Sequence, residues 1–264
     1  MIESKKNQAI KRIQKLKKSA RVRRKEQAFV VEGWKMSQEA LERQMVEQIY
    51  VSESAQKEFE RKVSGESLSE EMLPKEVEIV SDPLFRELSD TVTPQGILAV
   101  VKMPEYDRMQ ILAQEDASLL CLEDIQDPGN LGTMIRTAEG AGMSGVVLSA
   151  GCVDLYNPKV VRSTMGALFR VPTYLCEDMS TEVELLKDKG FTFYAAHLQG
   201  DCDYTEKLYE GRVGVLIGNE ANGLSDSVTE LSDYKVRIPM EGELESLNAA
   251  VSAGLLMYEI HRKR

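Results

Sequence analysis

LLCLEDIQDPGNLGTMIRTAEGAGMSGVVL, residues 119–148, decides the fold. Leu119–Leu122 is a short apolar run, as expected for a buried strand. Asp127-Pro128-Gly129 follows as a turn signal. Thr133–Gly140 then carries Met134, Ile135 and Ala138 at helical spacing, Gly142 suits the stop, and Val146–Leu148 is a further strand. Gly140–Gly145 spells G-x-G-x-x-G, but a dinucleotide fingerprint follows a strand and opens a helix. This one closes a helix and precedes a strand, so it reads as a helix stop and tight turn, and a nicotinamide-dependent dehydrogenase is demoted.

Downstream, Asn157-Pro158 starts a helix running through Val161 to Leu168, with Asn as cap and Pro in the first turn. Val183–Lys189 is a helix ending at Gly190, and Thr192–Ala196, Gly214–Ile217 and Val236–Ile238 are strands. The last helix is expected to begin at Ser246, acting as N-cap. Its Leu247, Ala250, Val251, Leu255 and Tyr258 share a face suited to core or subunit contact. Upstream lie strands Ala28–Glu32, Gln48–Val51, Val77–Val80 and Ile97–Val101 and a helix Trp34–Arg43. A second helix, Asp82–Ser89, has Asp82 as expected cap, and the polar stretch 53–75 reads as helix then loop. Alternating strands and helices predict an α/β protein with a mostly parallel sheet covered on both faces. Four segments are expected: a basic arm 1–25, a small α/β domain 26–102, a linker 103–116 that also reads as a short amphipathic helix, and a larger domain 117–264.

The net charge of −10 conceals an asymmetry. Of 33 Lys and Arg and 43 Asp and Glu, residues 1–25 hold eleven basic and one acidic, leaving 22 against 42 elsewhere. A concentrated basic segment on an acidic body suits a polyanion, through counterion release. The other reading is a solvated basic helix, since Ile10, Ile13 and Leu16 recur at helical spacing. Four dispersed cysteines and two histidines form no zinc-site spacing, and the cysteines read as reduced and structural. Neither a secretory leader nor a membrane span is expected, which places the protein in the cytoplasm.

Three segments carry chemistry. Asp127–Gly132 with Arg136 sits beyond a strand end, where ligands bind in open α/β sheets; Asn130 offers donors and an acceptor, and Arg136 a fork for phosphate. Leu216–Leu224 runs from a strand into a loop of two glycines, two amides and Glu220. Ile238-Pro239-Met240, Gly242 and Ser246-Leu247-Asn248 lead into the last helix.

In this order the three segments resemble the three motifs of the SpoU (TrmH) branch of the SPOUT RNA methyltransferases: Asp127–Gly142, Ile217–Leu224 and Ile238–Asn248. Residues 157–172 (NPKVVRSTMGALFRVP) are similar to the segment between the first two motifs, and 28–43 and 94–102 to the family's N-terminal domain. The resemblance implies a C-terminal domain with a deep trefoil knot holding S-adenosylmethionine, a smaller ribosomal-protein-like RNA-binding domain, and a homodimer through the knotted domain. Carried over by position, Asn130, Arg136, Glu220, Ser246 and Asn248 are the implied catalytic set. Gly218, Ile238 and Leu247, with Asn219, Gly223 and Met240, are the implied cofactor set. The implied reaction methylates a ribose 2′-hydroxyl of RNA, ribosomal RNA ahead of transfer RNA, with no metal. A fold-retaining RNA-binding protein without activity, or base methylation, are the alternatives. The same resemblance makes residues 5–25 a phosphate-tracking element, helical on binding RNA.

Overall fold

The computed structural model describes residues 1–65, 72–74 and 76–264. In chain order its elements begin with α1 (Gln8–Lys18), α2 (Ala20–Glu26), β1 (Ala28–Glu32), α3 (Trp34–Glu42) and β2 (Val46–Ser52). Next come α4 (Gln56–Gly65), β3 (Val77–Val80), α5 (Asp82–Leu88), β4 (Ile97–Lys102), α6 (Arg108–Leu112) and β5 (Ser118–Leu122). They are followed by α7 (Pro128–Gly140), β6 (Gly145–Ser149), α8 (Pro158–Ser163), β7 (Thr173–Cys176), α9 (Met179–Lys187) and β8 (Thr192–Ala196). The chain closes with β9 (Cys202–Asp203), β10 (Val213–Ile217), α10 (Asp226–Leu231), β11 (Tyr234–Arg237) and α11 (Ala249–Lys263). Two compact units result: Met1–Glu105 with Tyr156–Phe169, and Tyr106–Leu155 with Arg170–Arg264. The stretch 156–169, expected in the larger domain, therefore packs in the first unit, and the expected linker 103–116 is shared between the two.

The first unit holds a four-stranded sheet in the order β1-β4-β2-β3, antiparallel except for the parallel pair β2/β3. The basic segment belongs to this unit's core and is not a separate arm. Asn7 caps α1 by accepting from the Ala9 N–H at 2.8 Å. Ile10, Ile13 and Leu16 are fully buried against Val30, Tyr50, Leu84, Leu98 and their neighbours. Buried Arg23 of α2 donates to the last carbonyls of α1, Leu16 O at 2.6 Å and Lys17 O at 3.1 Å. The helical spacing therefore reflects core packing, which needs no RNA to order it. Ser81, not Asp82, occupies the cap position of α5, while the Asp82 carboxylate accepts from the Ser54 N–H and hydroxyl at 3.1 and 2.9 Å. Of the polar stretch 53–75, α4 supplies the expected helix, and 66–71 and 75 lie outside the described residues.

The second unit holds a seven-stranded sheet in the order β7-β6-β5-β10-β8-β11-β9, parallel at every pairing. The mostly parallel expectation is met. All five residues of β5, β6 and β10 are buried, the near-continuous apolar pattern that a sheet covered on both faces demands. Strands β7 and β9 and helix α10 went unrecognised, being four residues, two residues and six residues long. The helix expected over 157–168 stops at Ser163, because Met165 and Gly166 take positive φ values of 52° and 94°. Gly142 (φ 69°) closes α7 ahead of β6, so the G-x-G-x-x-G match is a helix stop as expected. The four cysteines are free, and burial raises the Cys121 and Cys176 thiols, Cys176 to about 12. Among the described residues no helix is long and apolar enough to cross a membrane.

Candidate active site

Because β5, β10, β8 and β11 are parallel neighbours, the loops after them leave one end of the sheet. Chain reversal there leaves strand ends free for a ligand. The first loop is shorter than its sequence suggests. Asp127 is the N-cap of α7, accepting from the Asn130 N–H at 2.8 Å, and Pro128 opens the helix. The expected turn residues are thus the helix start, and Asn130 sits rigidly in the first turn.

After β10 the chain folds back on itself. Asn219 and Gly223 exchange N–H to carbonyl bonds at 2.9 Å, and Gly223 adopts φ 71°. A Cβ on Gly218 would lie 2.1 Å from the Gly223 carbonyl carbon and the Leu224 nitrogen, so only glycine fits. The Asn219 amide accepts from the Ala221 and Asn222 N–H groups and donates to the Asp124 carbonyl at 2.8 Å. Glu220 accepts from the Gln126 and Asp127 N–H groups, both at 3.1 Å, and from the Asn130 side-chain amide at 3.0 Å. Burial pushes the Glu220 carboxyl up, but these donors outweigh it and hold the group below the usual carboxylate range.

The third loop closes the constellation. Asn248, not Ser246, caps the last helix, accepting from the Ala250 N–H at 2.9 Å and the Val251 N–H at 3.3 Å. Its amide nitrogen donates to Asn130 Oδ1 at 3.0 Å. A directed chain therefore runs from the α11 amides through Asn248 and Asn130 to Glu220. The carboxylate only accepts, which fixes both amide orientations, and each NH₂ keeps a second N–H outside the chain.

Other expected residues are less tightly held. Ser246 is exposed and Arg136 is exposed, and neither has a hydrogen-bond or ion-pair partner among the described residues. Arg136 follows Asn130 by six positions, which places it about 120° away around the α7 axis. Ile238, Met240 and Leu247 are half-buried on the third loop. One contributor escaped the sequence reading: the loop 197–201 after β8. Its His197 N–H donates to Val236 O at 2.9 Å. A Cβ on Gly200 would lie 2.7 Å from the backbone of Val236 and Arg237. The signal was Gly200, four residues past a strand end.

Residues 117–258 match the sequence model of the SpoU rRNA methylase family. The chain belongs to that family. This SpoU methylase also matches the MRM3-like substrate binding domain over residues 7–99. It is 35% identical to the 23S rRNA (guanosine(2553)-2′-O)-methyltransferase RlmP of Bacillus subtilis, with 98% of each chain covered. AviRb from Streptomyces viridochromogenes, solved in complex with AdoMet, superposes with a TM-score of 0.83 at 29% identity, covering 97% and 98% of the two chains. The crystal structure of an RNA 2′-O ribose methyltransferase superposes with a TM-score of 0.82 at 30% identity, covering 99% and 98% of the two chains. As a SpoU methylase the chain is an RNA methyltransferase that uses S-adenosylmethionine.

The residues present fit that cofactor. A side-chain-free backbone at Gly218, the tight 218–224 loop and the half-buried apolar Ile238, Met240 and Leu247 all belong to loops from one sheet end.

Proposed function

We propose that this SpoU methylase transfers a methyl group to a ribose 2′-hydroxyl of ribosomal RNA. The carrying observation is the Asn248–Asn130–Glu220 chain, which ties all three motif loops into one rigid surface. Gly218, Asn219, Gly223, Ile238, Met240 and Leu247 hold S-adenosylmethionine. When bound, it supplies a methyl group activated by its sulfonium. Asn130 and Asn248 present their spare N–H groups to the ribose, Glu220 holds their orientation, and Ser246 adds a hydroxyl beside them. Arg136, with no partner among the described residues, binds the adjacent phosphate and stabilises negative charge developing on the ribose oxygen. A guanidinium has no lone pair to accept the leaving proton, so a phosphate oxygen takes it.

The ribosomal-RNA reading rests on the name of the Bacillus subtilis relative RlmP and on that of the matching family model, both of which name rRNA. It also implies a cytoplasmic site of action. We further propose that the loops 218–224 and 238–248 form a knot, and that the enzyme is a homodimer through its second unit. Support for the dimer is the apolar stripe Val251, Leu255 and Tyr258 on α11, 50%, 37% and 50% exposed.

Ribose-methylation mapping of RNA from cells with and without the gene tests the reaction. One missing 2′-O-methyl group in 23S rRNA is expected, and an unchanged ribosomal RNA map overturns the reading. Arg136→Ala lowers kcat by roughly 10²–10³-fold with S-adenosylmethionine affinity kept. Near-normal turnover removes Arg136 from the mechanism.

A further inference from the structure

Arg162 lines two neighbouring cavities of the first unit, of about 450 and 220 Å³. The charged residues lining the larger are Lys17, Lys18, Glu87, Asp90, Lys159 and Arg162. Both carboxylates are already neutralised: Glu87 by Lys5 at 2.5 Å, and Asp90 by Lys17 at 2.8 Å. Lys18, Lys159 and Arg162 are exposed and have no carboxylate partner among the described residues. Among the described residues Arg162 makes one hydrogen bond, from Nη1 to the Asp90 carbonyl at 3.3 Å, and the rest of its fork has no partner there. Three uncompensated cations around one concavity call for an anion.

The cleft does not end at the cations. Past Arg162 the smaller cavity is lined by Glu32, Met36, Thr93 and Gln95 among others. Glu32 is fully occupied by donors from Ser89, Asp90 and Thr91. Gln95 uses its oxygen to accept from the Trp34 N–H at 2.8 Å, which leaves its NH₂ without a partner among the described residues. A charged seat joined to a donor-bearing, partly apolar compartment matches a nucleotide strand better than a bare ion.

Resting on the reading above, we infer that Lys18, Lys159 and Arg162 form a seat for the RNA backbone phosphates in the first unit. The seat is composite in sequence. Lys18 comes from the substrate-binding match, and Lys159 and Arg162 from the methylase match, brought together because 156–169 packs with the first unit.

The test compares the full-length enzyme with the Lys18→Ala/Lys159→Ala/Arg162→Ala variant. Binding of transcribed 23S rRNA and of oligouridylate is measured across a salt series, alongside S-adenosylmethionine affinity and Tm. Losing three phosphate contacts shrinks the salt slope by about two. The step from 50 to 200 mM salt then weakens the variant about twentyfold less than the parent. S-adenosylmethionine affinity and Tm stay unchanged. An unchanged slope on both RNAs overturns the seat even if the parent methylates 23S rRNA. A parent that binds both RNAs with the steeper slope but methylates none leaves the seat standing and removes the methylation reading. If inorganic phosphate raises the Tm of the parent but not of the variant while the RNA slope is unaltered, the seat takes a free anion and the proposal is overturned.

Discussion

Glu220 is where charge and geometry meet most tightly in this enzyme. One carboxylate receives two backbone N–H groups of the neighbouring loop and the Asn130 amide. In Glu220→Gln the new NH₂ faces donors and must turn away, so one of these bonds is lost. A hydrogen bond to a charged group is worth about 1.5–3 kcal/mol, and turnover should fall about ten- to hundredfold. Because folding lowers this carboxyl below its ordinary 4.5, its stabilising effect is complete above that value. It fades as pH falls through the lowered folded value. Melting scans of the parent should therefore lose stability below about pH 4.5 more steeply than those of Glu220→Gln. Equal acid profiles would show that the carboxylate's bonds do not stabilise the loop. The residue types of this site were legible in the sequence because amides, glycines and a carboxylate cluster after strands. The bonding order was not, since Asn130 and Asn248 are 118 positions apart and nothing local pairs them.

At the level of elements, the helix starts show how overlapping signals mislead. Ser246 and Asn248 are both good caps two residues apart, and Asn248 takes the position because the same amide also reaches Asn130. This dual role separates by substitution. Asn248→Ala loses the cap, costing about 0.5–2 kcal/mol, together with the contact to Asn130. Asn248→Asp keeps the cap but has no donor for Asn130 Oδ1. It should recover the Tm lost in the alanine variant while methyl transfer stays impaired. Recovery of both would deny the bridge a role. Asp127-Pro128-Gly129 failed differently: the residues of a turn are also those of a helix start, and only the Asn130 N–H on Asp127 decides between them. Helix α1 carries the third lesson. Lys11, Lys15 and Lys18 face solvent and suggest a tail, yet Ile10, Ile13 and Leu16 have no exposed surface at all. Ile13→Ala should cost about 2–5 kcal/mol in denaturant unfolding. Lys11→Ala with Lys15→Ala should leave stability within about 0.5 kcal/mol while weakening RNA binding at low salt.

For the molecule as a whole, the alternation of strands and helices sufficed to foresee the parallel sheet, because two buried faces force continuous apolar strands. The order of the strands was not foreseeable, since β10 enters between β5 and β8 by long-range pairing. The stripe on α11 sets a prediction at this scale. Leu255→Arg, at a 37% exposed position, should convert a dimer into monomer in sedimentation velocity while leaving the circular dichroism of the fold intact. A parent that sediments as a monomer would remove the dimer outright.

Tyr156 and Phe169 both lie against Phe29, with ring centroids 4.8 and 6.0 Å apart. Those partners come from opposite sides of the boundary that sequence matching draws at residues 99 and 117. Gene fusions that join the head of one homologue to the tail of another at that boundary would graft a foreign aromatic pair onto Phe29. Swaps that carry residues 156–169 along with the head should yield well-folded hybrids more often than swaps cut at a single point.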